Sequence, residues 1–180
     1  MIIIQKKDNI NFQEGLTIRT GKAFNIVKDR HGKPVNWEFE QENSTNKKNV
    51  ICTAGINFIF TRNWGVPMSI VVGNGSTSGA NAPAITDTTI TGELANGRFG
   101  VRGDANSRVR NGTITLSALW PRGQTFTGDI TNFGIFAVET GNNATQYNSG
   151  FLVARAAQAF TRTDVTKDVE LVWVITITAS

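Results

Sequence analysis

His31 is the one imidazole in the chain and Cys52 the one thiol, while Glu38 and Glu40 stand two residues apart as the obvious carboxylate pair. These residues bound the chemistry open to the protein. A Ser-His-acid relay needs its imidazole between a hydroxyl nucleophile and an orienting acid. His31 instead lies in Asp29-Arg30-His31-Gly32-Lys33-Pro34, a segment with the Gly and Pro of a turn, and Asp29 alone completes neither a dyad nor a metal site. A single cysteine excludes an internal disulfide and a Cys-based zinc site, and Cys52 in its apolar context reads as a small core residue. Glu38 and Glu40 could serve as acid and base on a glycosidic bond, but both fall on the wet face of an alternating strand and read as surface charge. The expectation is a protein that is not an enzyme and takes no metal or cofactor.

The other motifs are weighed in the same way. Gly73-Asn74-Gly75-Ser76-Thr77-Ser78-Gly79 follows a strand, as phosphate-binding loops do, yet Ala82-Pro83-Ala84 comes next where such a loop needs a helix N-terminus. Arg102-Gly103-Asp104 matches an adhesion tripeptide, but three residues recur by chance, and Arg98, Arg108 and Arg110 suggest a basic exposed turn. The Asn-x-Ser/Thr triplets at Asn43, Asn74, Asn111 and Asn143 follow from a composition rich in Asn and Thr. Arg155 differs, because it interrupts the apolar run Phe151 to Ala159 and a buried guanidinium needs a carboxylate or carbonyl partner. Glu93 and Glu139 are the candidate partners, in an internal brace by preference or in a contact to a neighbouring subunit.

The elements that would position these groups are mostly strands. Phe24 and Ile26, then Val35, Trp37 and Phe39, alternate with polar residues and read as a hairpin closed by the Gly32/Pro34 turn. Gln41 to Asn49 is polar and reads as a loop. Val50, Ile51, Ala54, Phe58 and Ile59 approach helical spacing behind Asn49, so one short helix is expected there, ended before Pro67. Ile70 to Val72 is a strand, and residues 73–87 form a long loop. Strands then follow at Thr113–Trp120, Ile130–Glu139, Phe151–Phe160 and Val169–Thr178, with turn signals between them. In the last strand Val169, Leu171, Trp173, Ile175 and Ile177 share one face. Strands of this length predict a mainly β fold, an antiparallel, jelly-roll-like β-sandwich with an N-terminal hairpin and one short helix. Residues 1–48 form a docking segment and residues 49–180 the sandwich domain.

Composition agrees. The chain has 180 residues, 39% of them hydrophobic and 18% charged, with 18 Gly and a net charge of +4. That is too apolar for disorder and too rich in Gly, Asn and Thr for a helical bundle. The basic residues are scattered rather than gathered with aromatics on one face, so nucleic acid is not an expected partner. Met1 to Ile4 is far shorter than a signal segment or a membrane span, so no membrane association is expected.

Four blocks carry a further resemblance: residues 49–58 (Asn49 to Phe58), Ile70-Val71-Val72-Gly73-Asn74-Gly75-Ser76-Thr77, Asn132-Phe133-Gly134-Ile135-Phe136, and Leu152-Val153-Ala154-Arg155, with the final strand after them. Over roughly residues 49 to 178 their order resembles the small β-rich structural proteins of tailed bacteriophage virions. The resemblance implies a virion component that assembles in multiple copies at the tail, collar or baseplate, made in the host cytoplasm and carried in the particle. Capsid decoration and recognition of host surface glycan through exposed Trp64, Trp120 or Tyr147 are the rival roles. Its partners would be other copies of itself and other virion proteins. Ile2, Ile3 and Ile4 are the candidate strand for addition to a neighbour's sheet, with Arg155 as a further assembly contact. Gly73, Asn74 and Gly75, with Asn142 and Tyr147, are candidate exposed-loop contacts.

Overall fold

The computed structural model describes residues 10–30, 32–48, 50–52, 55, 68–103, 112–126, 128–137 and 150–179. Nine strands run through them: β1 (Ile10–Lys28), β2 (Pro34–Lys48), β3 (Val50–Ile51), β4 (Met68–Gly73), β5 (Glu93–Gly103), β6 (Gly112–Trp120), β7 (Ile130–Ala137), β8 (Phe151–Phe160) and β9 (Asp168–Ala179). They pair antiparallel throughout, in the order β2-β1-β9-β6-β5-β4-β7-β8-β3, as one sheet curled into a half-barrel. β5 is the joint. Its first part pairs with β4 (Ile70 opposite Phe99) and its end with β6 (Val101 opposite Ala118).

The curl gives the sheet an inside. Leu16 and Ile18 of β1, Ile114, Leu116 and Trp120 of β6, and Leu171, Trp173 and Ile175 of β9 share one core with Ile70 and Val72 of β4 and with Phe133 and Ile135 of β7. Alternation puts every second residue of these strands inward. Each large side chain so buried contributes about 1.5–3 kcal/mol relative to exposure. Phe99 stacks on Trp120 at 5.7 Å between centroids, with Phe126 and Phe160 packed around the same indole.

Three expectations need correction. Gln41 to Lys48 is not a loop but the second half of β2, which its ladder with β1 carries to Lys48 opposite Gly15. It lacks apolar alternation because it lies at the sheet's edge, with Gln41 to Asn46 exposed. Val50 and Ile51 do not open a helix; they pair with Arg155 and Ala154 of β8, and the Cys52 amide continues the ladder to the Val153 carbonyl. Their β-branched side chains suit that pleat. Of the remaining expected helix only Gly55 lies within the described residues, and it is helical. The third correction is Arg98, which is buried in β5 rather than exposed in a turn.

Candidate interaction surface

Two segments cover the outer faces of the curled sheet, and each is fastened by buried charge. Residues 74–92 cross the outside of β4, β7 and β8. Beneath them Ile90 closes a second apolar cluster with Cys52, Val71, Phe136 and Leu152. Arg155 rises from β8 into this layer with 3% of its side chain exposed. Its guanidinium donates to Asp87 Oδ2 at 2.7 Å, the Asn81 carbonyl at 2.7 Å, Thr91 Oγ1 at 3.1 Å and Asn132 Oδ1 at 2.7 Å. Three of these acceptors belong to the covering loop and the fourth to β7. The planar fork of arginine can serve several acceptors at once, which an ammonium cannot match. Asp87 also accepts the Ala84 amide at 2.9 Å.

This geometry is that of the internal brace, but neither expected acid supplies it. Glu93 is occupied by Arg98, at 2.5 and 2.9 Å, in a pair with 4% and 1% side-chain exposure. The Arg98 guanidinium also lies 4.5 Å over the Phe136 ring. Glu139 lies outside the described residues.

The second cover is the end of the β1–β2 hairpin. Beyond Gly21, where β1 leaves β9, the ribbon folds over the outside of β6 and β9, and Ala23, Trp37, Ile26 and Phe39 pack on Leu119. Asp168 and Glu170, two apart on β9 and both 2% exposed, fasten it. Asp168 accepts the Ala23 amide at 2.9 Å and the Arg122 amide at 2.7 Å. Glu170 accepts the Trp37 indole N–H at 2.8 Å and the Arg19 guanidinium at 3.2 Å. Sequence reasoning missed this pair of carboxylates. The signal was the one that exposed Arg155, a lone charge inside the apolar run Val169-Glu170-Leu171.

The remaining predicted residues are scattered. Gly73 is buried at the end of β4, between Glu93 of β5 and Asn132 of β7, so it is no exposed contact. Asn74 is exposed. Gly75 is half-buried, and its carbonyl accepts Thr131 Oγ1 at 2.6 Å and Asn132 Nδ2 at 2.8 Å. Trp120 is 1% exposed and cannot offer an open platform for a sugar ring. Ile2, Ile3, Ile4, His31, Trp64, Asp104, Asn142 and Tyr147 lie outside the described residues. Glu38 and Glu40 are exposed on β2, as expected of surface charge, and Glu38 accepts from Asn25 Nδ2 at 2.7 Å.

What the covers leave outside is uneven. Among the described residues the large exposed hydrophobics are Phe24, Val27 and Val35 at the hairpin end, Ile85 in the covering loop, and Val165. Val165 borders a depression of about 320 Å³ floored by Trp120, Phe126 and Ile130 and rimmed by Thr125, Gly128, Asp129, Thr161 and Arg162. Arg162 is turned inward, 5.0 Å over the Trp120 ring, donating to the carbonyls of Pro121, Gln124 and Lys167. Burial pulls its pKa down, against the opposing pull of Asp168 and Asp164. Asp164, which is exposed, is held below the usual carboxylate range by the Thr166 hydroxyl and amide. Lys167, paired with Glu42, is raised above the usual lysine value by that hydrogen bond.

Among the described residues no three His, Cys, Asp or Glu side chains gather as metal ligands, and no helix is long and apolar enough to cross a membrane. Comparison with protein-family models, curated proteins and solved structures gives no match to this chain.

Proposed function

We propose that this chain is a structural component of a tailed bacteriophage virion, assembled in multiple copies at the tail, collar or baseplate. In this reading the two halves of the curled sheet, meeting at β5, are the layers of a jelly-roll-like sandwich. The observation that carries the reading is the use made of buried charge. Arg155, Arg98, Asp168 and Glu170 are spent on fastening a loop and a hairpin to the sheet, and on bracing β5. Carboxylates poised for acid–base work are instead placed to reach a substrate's proton. A scaffold with firmly fixed surface segments suits a part that must present the same contacts in every copy, where multiplicity turns modest contacts into firm attachment.

Electron cryo-microscopy of the intact particle tests this. The expected result is density for this chain in a symmetric ring or cluster at the tail or neck. Its absence from mature particles, found together with turnover of a small molecule by the purified protein, would sink the reading.

A further inference from the structure

The end of the β1–β2 hairpin is an arm with a single root. β1 leaves β9 after Gly21, and at the same level its ladder with β2 shifts register, from Thr20 opposite Asn43 to Gly21 opposite Gln41. A register shift of this kind bends a strand. Both strands of the ribbon therefore change course together. Past the bend, among the described residues, they pair only with each other. A few residues at such a place are enough to serve as a hinge.

The contact that holds the arm down is small. On its apolar underside Ala23 and Trp37 are buried while Ile26 and Phe39 are half-buried, and the side chain they cover in the body is Leu119. The polar ties are divided between arm and body. Asp168 accepts the Ala23 amide from the arm and the Arg122 amide from the body. Glu170 accepts the Trp37 indole N–H from the arm and the Arg19 guanidinium from the body side of the bend. Each carboxylate keeps a partner when the arm lifts, so release leaves neither charge stranded. Elements with few buried apolar contacts are the first to open.

We infer that the arm is exchanged between copies, so that the hairpin end of one molecule lies on the outer face of β6 and β9 in the next. It takes there the place that the arm occupies on its own sheet in the single chain. The seat formed by Leu119, Asp168 and Glu170 already fits this hairpin, so the exchanged contact needs no new complementarity. Straightening the bend carries the arm outward to a neighbour. Reciprocal exchange gives a two-fold pair, whereas one-way exchange gives a ring or an open chain. This deepens the proposed function, resting on its claim of many copies, and it names the contact that links them.

The test puts the two halves of the contact in differently labelled molecules. One batch of the wild-type chain carries heavy nitrogen, and the other carries heavy carbon in its leucine methyls. The two are unfolded together and refolded at high concentration, which lets arms redistribute. Sedimentation velocity is expected to show a dimer or a larger species. In that species an isotope-filtered nuclear Overhauser experiment should give cross-peaks from the Ala23 amide and Trp37 indole protons to the Leu119 methyls. The same species made from doubly labelled protein supplies the reference cross-peaks. Refolded protein that is monomeric up to its solubility limit overturns the inference. So does an associated species whose mixed sample lacks the cross-peaks of the reference. Association without exchange would leave the virion reading standing on another contact, whereas absence from mature particles would remove that reading alone.

Discussion

Replacing Arg155 by methionine should open the covering loop without dissolving the fold beneath it. The side chain keeps its length and apolar stem but loses every donor. Asp87, 19% exposed, then loses its guanidinium, while Asn132 Oδ1, fully buried, loses its arginine donor. The Asn81 carbonyl and Thr91 hydroxyl lose the same partner. Breaking one side of a buried ion pair typically costs about 3–5 kcal/mol. For a domain of this size that corresponds to a fall in Tm of roughly 6–20 °C. The cost should fall first on residues 74–92, because three of the four acceptors belong to them. Cys52 reports this directly. It is the only cysteine, it is fully buried, and its Sγ lies 3.9 Å from the Ala84 carbonyl of the loop. Labelling through local opening scales with the opening equilibrium, so a small aromatic disulfide reagent should modify Arg155→Met some 10²–10³-fold faster than wild type under native conditions. Arg155→Lys should restore little, because a point charge cannot serve four acceptors. Asp87→Asn, which keeps an acceptor at a half-open position, should have a smaller effect than either. Wild-type labelling rates in Arg155→Met, or acceleration only in step with global unfolding, would refute the reasoning.

Four further outcomes are expected. Glu170→Ala removes the acceptor shared by the Trp37 indole N–H and the Arg19 guanidinium, so Tm should drop by roughly 4–10 °C in a melting experiment and limited proteolysis should begin in the β1–β2 hairpin. Thr166→Val removes the hydroxyl that depresses Asp164, so its carboxyl pKa, followed by NMR, should rise toward the ordinary value. A depressed folded pKa supplies stability above the unfolded value that is lost as pH falls through the folded one, so the variant should differ from wild type in neutral solution and converge with it in acid. Gly92→Ala should cost well over 2 kcal/mol by chemical denaturation: φ there is +66°, and a new Cβ would lie 2.5 Å from the Gly75 nitrogen. Gly32→Ala, at φ of +78° with nothing within 4 Å, should cost only the left-handed strain of about 1–2 kcal/mol.

Part of the core was legible, because burial on one face writes a period of two into the chain. β5 and the first half of β1, which bring Phe99, Leu16 and Ile18 to the same core, were not among the expected strands. Gly112–Trp120, Phe151–Phe160 and Asp168–Ala179 match the expected strands to within a residue. The edge of the sheet was not legible. Gln41 to Lys48 packs no apolar face, so its strand is dictated by the ladder with β1, and nothing in its own composition records that. Val50 and Ile51 failed differently: a short apolar run fits either period, and the free edge of β8 decided between them. Arg155 was recognisable as a braced charge, but its acceptors sit 68, 74, 64 and 23 residues away along the chain. Contacts of that separation follow from how the loop crosses the sheet, and local pattern does not encode them.

A single curled sheet has one inside and two outer faces to protect, and that asymmetry accounts for the charges in its interior. The core strands can bury only alternate residues, so Val71, Phe136 and Leu152 on one outer face and Leu119 on the other need a cover from elsewhere. A short loop or a hairpin end buries too little apolar area to stay closed by that alone, since ordering each residue costs about 1–2 kcal/mol of backbone entropy. Charge-assisted hydrogen bonds add the missing specificity. Arg155 gathers three points of the loop onto β8, and Asp168 and Glu170 gather Ala23, Trp37 and Arg19 onto β9. Such networks are unforgiving, because every member lost leaves another unsatisfied. The covers are therefore held in one position each, and the groups they present outward, Ile85 on the loop and Phe24 with Val27 on the hairpin, are held with them. A surface whose exposed apolar groups are fixed from beneath loses little entropy on docking, which is the condition under which a small contact repeated in many copies can bind firmly.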